Sequence, residues 1–234
     1  VSKALGIQLP RAAALLMLGE KIPSLVRSGI LPERDGRRLP LGYPVAVKEA
    51  VLPFKRFRTP DGEILDSILG PEMRSTGEVM GIDRNFPRAF AKSQQAAYGG
   101  LPTSGTVFVS VADRDKRNVV PPIFRLSQLG FHIMATEGTA ETLARFGIDA
   151  EVVLKQSEVS QAGEGQSVVD LIKAGKIDIV LNTPRGRSAR ADGYSIRTAT
   201  VAADKALFTS IAQAGAAVAS LEDGSEQLEV TSLQ

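Results

Sequence analysis

From Thr106 onward, apolar and polar residues fall into short blocks whose period switches between that of a strand and that of a helix. TVFVSV (106–111) is a near-continuous apolar run bounded by turn residues, which predicts a strand buried on both faces. Val119, Val120, Ile123, Phe124 and Leu129 then recur at helical spacing and mark one apolar face. Pro121 and Pro122 fit that helix only if it has just begun, because a first turn needs no amide donor. Gly130 stops it, and FHIMA (131–135) is a second short strand. Glu151–Lys155, Lys176–Leu181 and Ala206–Phe208 are the next three strands. AETLARFG (140–147), Ser167–Lys173, Arg190–Ala203 (weakened by Gly193) and Ser210–Ser220 are helices. Gln156–Gln166, polar and glycine-containing, is expected to be a mobile loop. Strands alternating with helices predict an α/β fold: a five-stranded parallel sheet with helices on both faces.

The first hundred residues are less regular. Ser2–Gly6 resembles the tail of an element begun upstream, Pro10 opens a helix over Arg11–Leu18 that Gly19 closes, and Ser24–Arg27 is a second, short helix. Residues 29–44 are a loop rich in glycine and proline. Val45–Phe54 is predicted to be a strand, with Glu49 inside it, either on the solvent face or placed for a cation. Arg58–Ser67 is a polar turn, and Leu69–Gly81 (LGPEMRSTGEVMG) a tight loop without phosphate-loop spacing. Asn85–Tyr98 is a helix. The breaker-rich Gly99-Gly100-Leu101-Pro102 then suggests a boundary between two domains, 1–101 and 102–234.

Composition removes several classes of chemistry. Lys+Arg 28 against Asp+Glu 26 is too balanced to argue for a nucleic-acid partner. With no cysteine there is no disulfide, thiolate or cysteine zinc site, and a Ser-His-Asp triad would have to use the lone His132, inside a strand. No metal ligand set is proposed. No apolar run approaches the roughly 18 residues of a membrane span, and no signal peptide or lipidation motif is evident, so a cytoplasmic location and no membrane partner are expected. Val1 stands where an initiator methionine would, which suggests a fragment.

Two loops leave a strand end and open a helix, where ligands of such sheets gather. One carries Asp113, Asp115 and Lys116. The other, Thr136-Glu137-Gly138-Thr139, offers hydroxyls and a glycine at a helix N-terminus, suited to an anion. The same residues also suit an ordinary N-cap and turn, and spacing alone does not decide between the two readings.

VKEAVLPF followed by LGPEMRSTGEVMG closely resembles the carboxy-terminal region of the carbamoyl-phosphate synthase large-subunit family. The resemblance continues through AFAKSQ, FVSVADRDK, ATEGTA, GKIDIVLNT and GR. The resemblance implies that residues 1–101 end an ATP-grasp synthetase domain, an α+β tail whose ATP and Mg or Mn sites lie upstream. Residues 102–234 would be a methylglyoxal-synthase-like allosteric domain. It further implies a nucleotide effector of the uridine or inosine monophosphate class. Lys116, Thr136, Thr139 and Lys155 would hold its phosphate, and Asn182 and Thr183 its base and ribose. Ornithine would bind between the domains at Glu49 and Thr209. The parent enzyme makes carbamoyl phosphate from bicarbonate, glutamine-derived ammonia and ATP for pyrimidine and arginine synthesis, with a glutaminase small subunit as partner. This segment would carry no catalytic residue and no cofactor of its own. Pro184 stands where many relatives have threonine and withdraws one hydroxyl contact. The alternative is a free-standing phosphate lyase of methylglyoxal-synthase type. It could draw on Asp113 or Glu164 as a base, but it lacks the histidines that chemistry uses and leaves the first hundred residues unexplained. A pure interaction module ignores the phosphate-site residues.

Overall fold

The computed structural model describes residues 2–33, 43–51, 61–62, 77–162, 165–183, 190–223 and 230. Gly70–Thr76 of the GPEMRSTGEVMG motif, the end of the expected first strand at 52–54, Glu164 and Pro184 lie outside them.

Three helices open the chain: α1 (Ser2–Leu5), α2 (Leu9–Met17) and α3 (Ile22–Arg27). Strand β1 (Val45–Ala50) then pairs antiparallel with β2 (Glu78–Asp83), with Val47 opposite Gly81. The sequence predicts a tight loop over residues 69–81, and the structure corrects its end, where residues 78–81 open the strand β2. Gly77 and Gly81 look like loop punctuation, but Gly81 is a contact glycine. A Cβ there would lie 2.0 Å from the Ala89 carbonyl oxygen and 2.7 Å from the Ser93 nitrogen. Both atoms belong to α4 (Phe86–Tyr98), which lies directly on the strand. Asn85 caps α4 by accepting from the Arg88 N–H, and Gly99 ends it at φ 84°, a left-handed turn that glycine adopts without a Cβ clash.

The second sheet has five parallel strands in the order β5 (Glu151–Val152), β4 (His132–Ala135), β3 (Thr106–Ser110), β6 (Ile179–Asn182), β7 (Ala206–Phe208). This is the predicted α/β architecture. Successive side chains of β3 enter opposite cores. Val107 and Val109 pack with Ile123 and Leu126 of α5 (Lys116–Gln128), Leu143 of α6 (Glu137–Ala144) and Val218 of α10 (Ile211–Glu222). Phe108 packs with Ile172 of α8 (Val168–Lys173) and Ile196 of α9 (Arg190–Ala202). Burying each such side chain contributes about 1.5–3 kcal/mol. Phe90 of α4 joins the first core, and Arg88 and Asn85 reach Asp223 at 3.3 and 3.5 Å, so α4 joins the two sheets.

Two further expectations are corrected. Helix α5 begins at Lys116, after a 3₁₀ turn at Asp113–Asp115, so Pro121 and Pro122 lie within the helix rather than in its first turn. The carbonyls of Arg117 and Asn118 thereby lose their ladder donors. The expected loop after β5 contains α7 (Gln156–Ala162). Its start is held by tertiary partners that pattern cannot reveal: Asp192 of α9 accepts from the Ser157 N–H and hydroxyl at 3.2 and 2.7 Å.

Candidate ligand site at the carboxyl ends of the strands

Strand order turns five separate loops into a row. Following the sheet across, the chain leaves the strand ends at Lys155, Thr136, Asp113–Lys116, Asn182–Thr183 and Thr209. Chain direction across the sheet reverses between β3 and β6, the position where loops diverge and leave a crevice. The backbone ties these ends together: Thr136 N–H donates to Val109 O and Thr183 N–H to Ser110 O, each at 3.2 Å.

Lys116 reaches from the β3–α5 turn over the start of α6. Its Nζ stands 3.1 Å from where a Cβ at Gly138 would be, so glycine is what leaves room for the ammonium. The same ammonium pairs with Asp113 at 3.0 Å. Thr136 occupies the N-cap position of α6, yet its side chain makes no capping bond. Its hydroxyl donates to the Thr139 hydroxyl at 3.2 Å, and both threonines are buried. Lys116, Thr136, Gly138 and Thr139 are therefore brought together as a cationic and hydroxylic corner at a helix N-terminus, chemistry that suits a phosphate.

Lys155 lies beyond β5, with its ammonium on Glu158 at 3.0 Å and its N–H on the other Glu158 oxygen at 2.7 Å. Burial works against the Glu158 charge, but the Lys155 N–H and ammonium outweigh it and hold the carboxyl below its usual range. Among the described residues, the Lys155 ammonium is held by Glu158 and not by the other three phosphate candidates.

Asn182 and Thr183 are buried at the end of β6. The Thr183 hydroxyl accepts from the Ala112 N–H at 2.9 Å, stapling the two diverging strand ends. Asn182 donates to Ser110 O at 3.3 Å and accepts from Arg197 Nη1 at 2.7 Å. Arg197, Gly138's proximity to Lys116 and the Glu158 partner of Lys155 were not legible in the sequence. Only the four-residue spacing of Gly193 and Arg197, one helical turn, hinted at a shared face.

Glu49 lies on β1, which packs on α4, and Thr209 in the short connection between β7 and α10. The Glu49 carboxylate accepts from Gln94 Nε2 of α4 at 3.2 Å. Burial raises its pKa, against the hydrogen bonds from Gln94 and Tyr98. The Tyr98 hydroxyl is pushed up to about 12, first by burial and then by the Glu49 charge. Thr209 donates its N–H to Gln213 Oε1 at 3.3 Å, at the start of α10. The lone histidine, His132, is exposed at the opposite, amino end of β4 and meets Glu151 at 2.9 Å, far from the loop row. Among the described residues no group of His, Asp and Glu could hold a metal ion, and no helix is long and apolar enough to cross a membrane.

This sheet and its loop row define a class, and comparison with known proteins agrees: residues 118–209 match the MGS-like domain. The whole chain is 68% identical over 234 residues to the carbamoyl phosphate synthase large chain of Clavibacter michiganensis subsp. michiganensis, covering 100% of this chain and 21% of that protein. It is 55% identical over 236 residues to the large chain of Micrococcus luteus, covering 100% of this chain and 21% of that one. Over its whole length the chain is thus similar to carbamoyl phosphate synthase large chains, and it spans about one fifth of the length of these relatives. Among solved structures, methylglyoxal synthase from Elizabethkingia anophelis NUHP1 aligns with TM-score 0.39 at 19% identity, covering 50% of this chain and 79% of that one.

Proposed function

We propose that this chain is the regulatory end of a carbamoyl phosphate synthase large chain. Residues 1–101 complete the carboxy-terminal part of an ATP-grasp synthetic domain, and residues 102–234 bind a nucleoside monophosphate of the uridine or inosine class. The bound nucleotide, together with ornithine between the two domains at Glu49 and Thr209, biases an upstream active site that uses ATP and Mg or Mn. The segment itself catalyses nothing and works in the cytoplasm, joined to the rest of the large chain and a glutaminase small subunit.

The observation that carries the reading is the corner at α6, where the Lys116 ammonium stands over Gly138 beside the buried Thr136 and Thr139 hydroxyls. A phosphate dianion there would gain charge-assisted hydrogen bonds and displace the Lys116 ammonium from exposed Asp113. Lys155 is the fourth candidate and would have to leave Glu158 to join it. α4 supports the coupling, since it presses on β2 and also meets α10. A free-standing phosphate lyase is not favoured, because the relatives match the first hundred residues as well and His132 faces the wrong end of the sheet.

Calorimetric titration of the chain with uridine monophosphate, inosine monophosphate and the two nucleosides tests the reading. Binding of the monophosphates, with the nucleosides at least tenfold weaker (roughly one charge-assisted hydrogen bond), is the expected result. Equal affinity for nucleoside and nucleotide would remove the phosphate corner.

A further inference from the structure

We propose that Arg197 is a positioning residue that locks the Asn182 amide with its N–H outward, so the ligand group received there is a hydrogen-bond acceptor. The inference rests on the nucleotide reading above and names the ligand edge that the site selects.

Asn182 is 4% exposed and Arg197 3% exposed, side by side at the end of β6 and on α9. Arg197 Nη1 lies 2.7 Å from Asn182 Oδ1. A guanidinium carries donors only, so the atom facing it must be the amide oxygen. The other side of the amide agrees independently: Nδ2 lies 3.3 Å from Ser110 O, which can only accept. Turning the amide over would set donor against donor and oxygen against oxygen, so both contacts enforce one orientation. Nδ2 has two hydrogens, and the second has no partner among the described residues. A buried amide N–H without a partner is costly, and a ligand oxygen there would relieve it.

The fold makes room for this arrangement. A Cβ at Gly193, one turn before Arg197, would lie 2.8 Å from Nη1 and 3.5 Å from Asn182 Oδ1. Glycine is a poor helix former, and at this position its missing side chain is what lets the guanidinium cross to the strand end. Asn182 is two strands from Thr136, since β3 lies between β4 and β6. Two strand spacings are about 10 Å. With the phosphate at the α6 corner, that distance brings the base, rather than the ribose, to Asn182. A base with a carbonyl on that edge, such as uracil or hypoxanthine, meets the N–H. Cytosine or adenine, with an amine there, sets donor against donor.

The full chain is titrated with uridine, inosine, cytidine and adenosine monophosphates and with inorganic phosphate. Wild type is expected to prefer the carbonyl bases over the amine bases by about tenfold or more. Arg197→Met leaves the 3.3 Å contact to Ser110 O as the amide's one remaining fixed partner, so the preference should fall well below tenfold while the affinity for inorganic phosphate stays unchanged. Arg197→Lys, which keeps a donor, should restore most of it. Asn182→Asp keeps the Arg197 partner but has no N–H, and should also lose the preference. It serves if Arg197→Met fails to fold. A tenfold preference that survives either Arg197→Met or Asn182→Asp would overturn the proposal. So would a parallel loss of inorganic phosphate affinity, which would make Arg197 a support of the fold. Phosphate binding by wild type without any base preference defeats this inference alone. Binding of no nucleotide at all defeats the nucleotide reading with it.

Discussion

Replacing Gly81 by alanine adds one methyl group, and the structure makes that methyl expensive. The new Cβ would lie 2.0 Å from Ala89 O, 2.7 Å from Ser93 N and 2.9 Å from Lys92 Cβ. The first of these is about 1.5 Å short of ordinary contact, and it is a backbone atom that cannot rotate away. Either β2 or α4 must retreat. Retreat of α4 loosens Phe90 from the main core and pulls Arg88 from Asp223. Overpacking of this kind costs about 3 kcal/mol. For a chain of this size that lowers Tm by about 6–12 °C. The control is Gly215→Ala, the same chemical change inside α10, where no atom lies within 4 Å of the new Cβ. There alanine is the better helix former, and stability should rise by up to about 1 kcal/mol. Thermal melts followed by circular dichroism at 222 nm (the helix band, roughly) compare the pair. A Gly81→Ala chain melting with wild type would show that α4 does not rest on β2 at that point, and the joint between the two sheets would have to be redrawn.

Three other outcomes are expected. Lys116→Ala should weaken monophosphate binding by about one to two powers of ten and leave nucleoside binding unchanged, because it removes a charge-assisted contact of roughly 1.5–3 kcal/mol. Calorimetry with both ligands checks it, with Arg145→Ala as a surface control. Thr183→Val leaves the buried Ala112 N–H without its acceptor and should cost about 1–3 kcal/mol in a denaturant melt. Glu49 titrates in the fold above its ordinary value because burial outweighs the bonds from Gln94 and Tyr98. A carboxyl raised in this way costs stability at neutral pH, and the cost is relieved as pH falls through its folded pKa. Glu49→Gln should therefore melt higher than wild type at pH 7, lose that advantage below about pH 4, and abolish any response to ornithine. Melts across that range with and without ornithine give the answer, and an advantage that grows toward acid would reverse the sign of the argument.

The alternation of buried strands with amphipathic helices from Thr106 onward determined the α/β class, because a strand covered on both faces must be apolar at nearly every position. The β3–α5–β4 unit and the short strand at Ala206–Phe208 were legible for that reason. The motif around GPEMRSTGEVMG was likewise enough to place the chain among its relatives. It was not enough to find β2, since a glycine that admits a packed helix and a glycine that turns a loop are the same letter. Helix α7 escaped for a related reason: a polar helix held by partners on α9 has no apolar period of its own. Strand order was a tertiary decision too. Only the 5-4-3-6-7 arrangement sets Thr136, Lys116 and Asn182 along one edge and puts the reversal of chain direction between β3 and β6. Lys116 and Thr136 could be named as candidates from their loops, but the contact over Gly138 depends on how far a lysine reaches between two strand ends. Arg197 shows the limit most plainly. On a helix wheel it is one more arginine, and only the packing of α9 against β6 buries its charge and gives the Asn182 amide a direction.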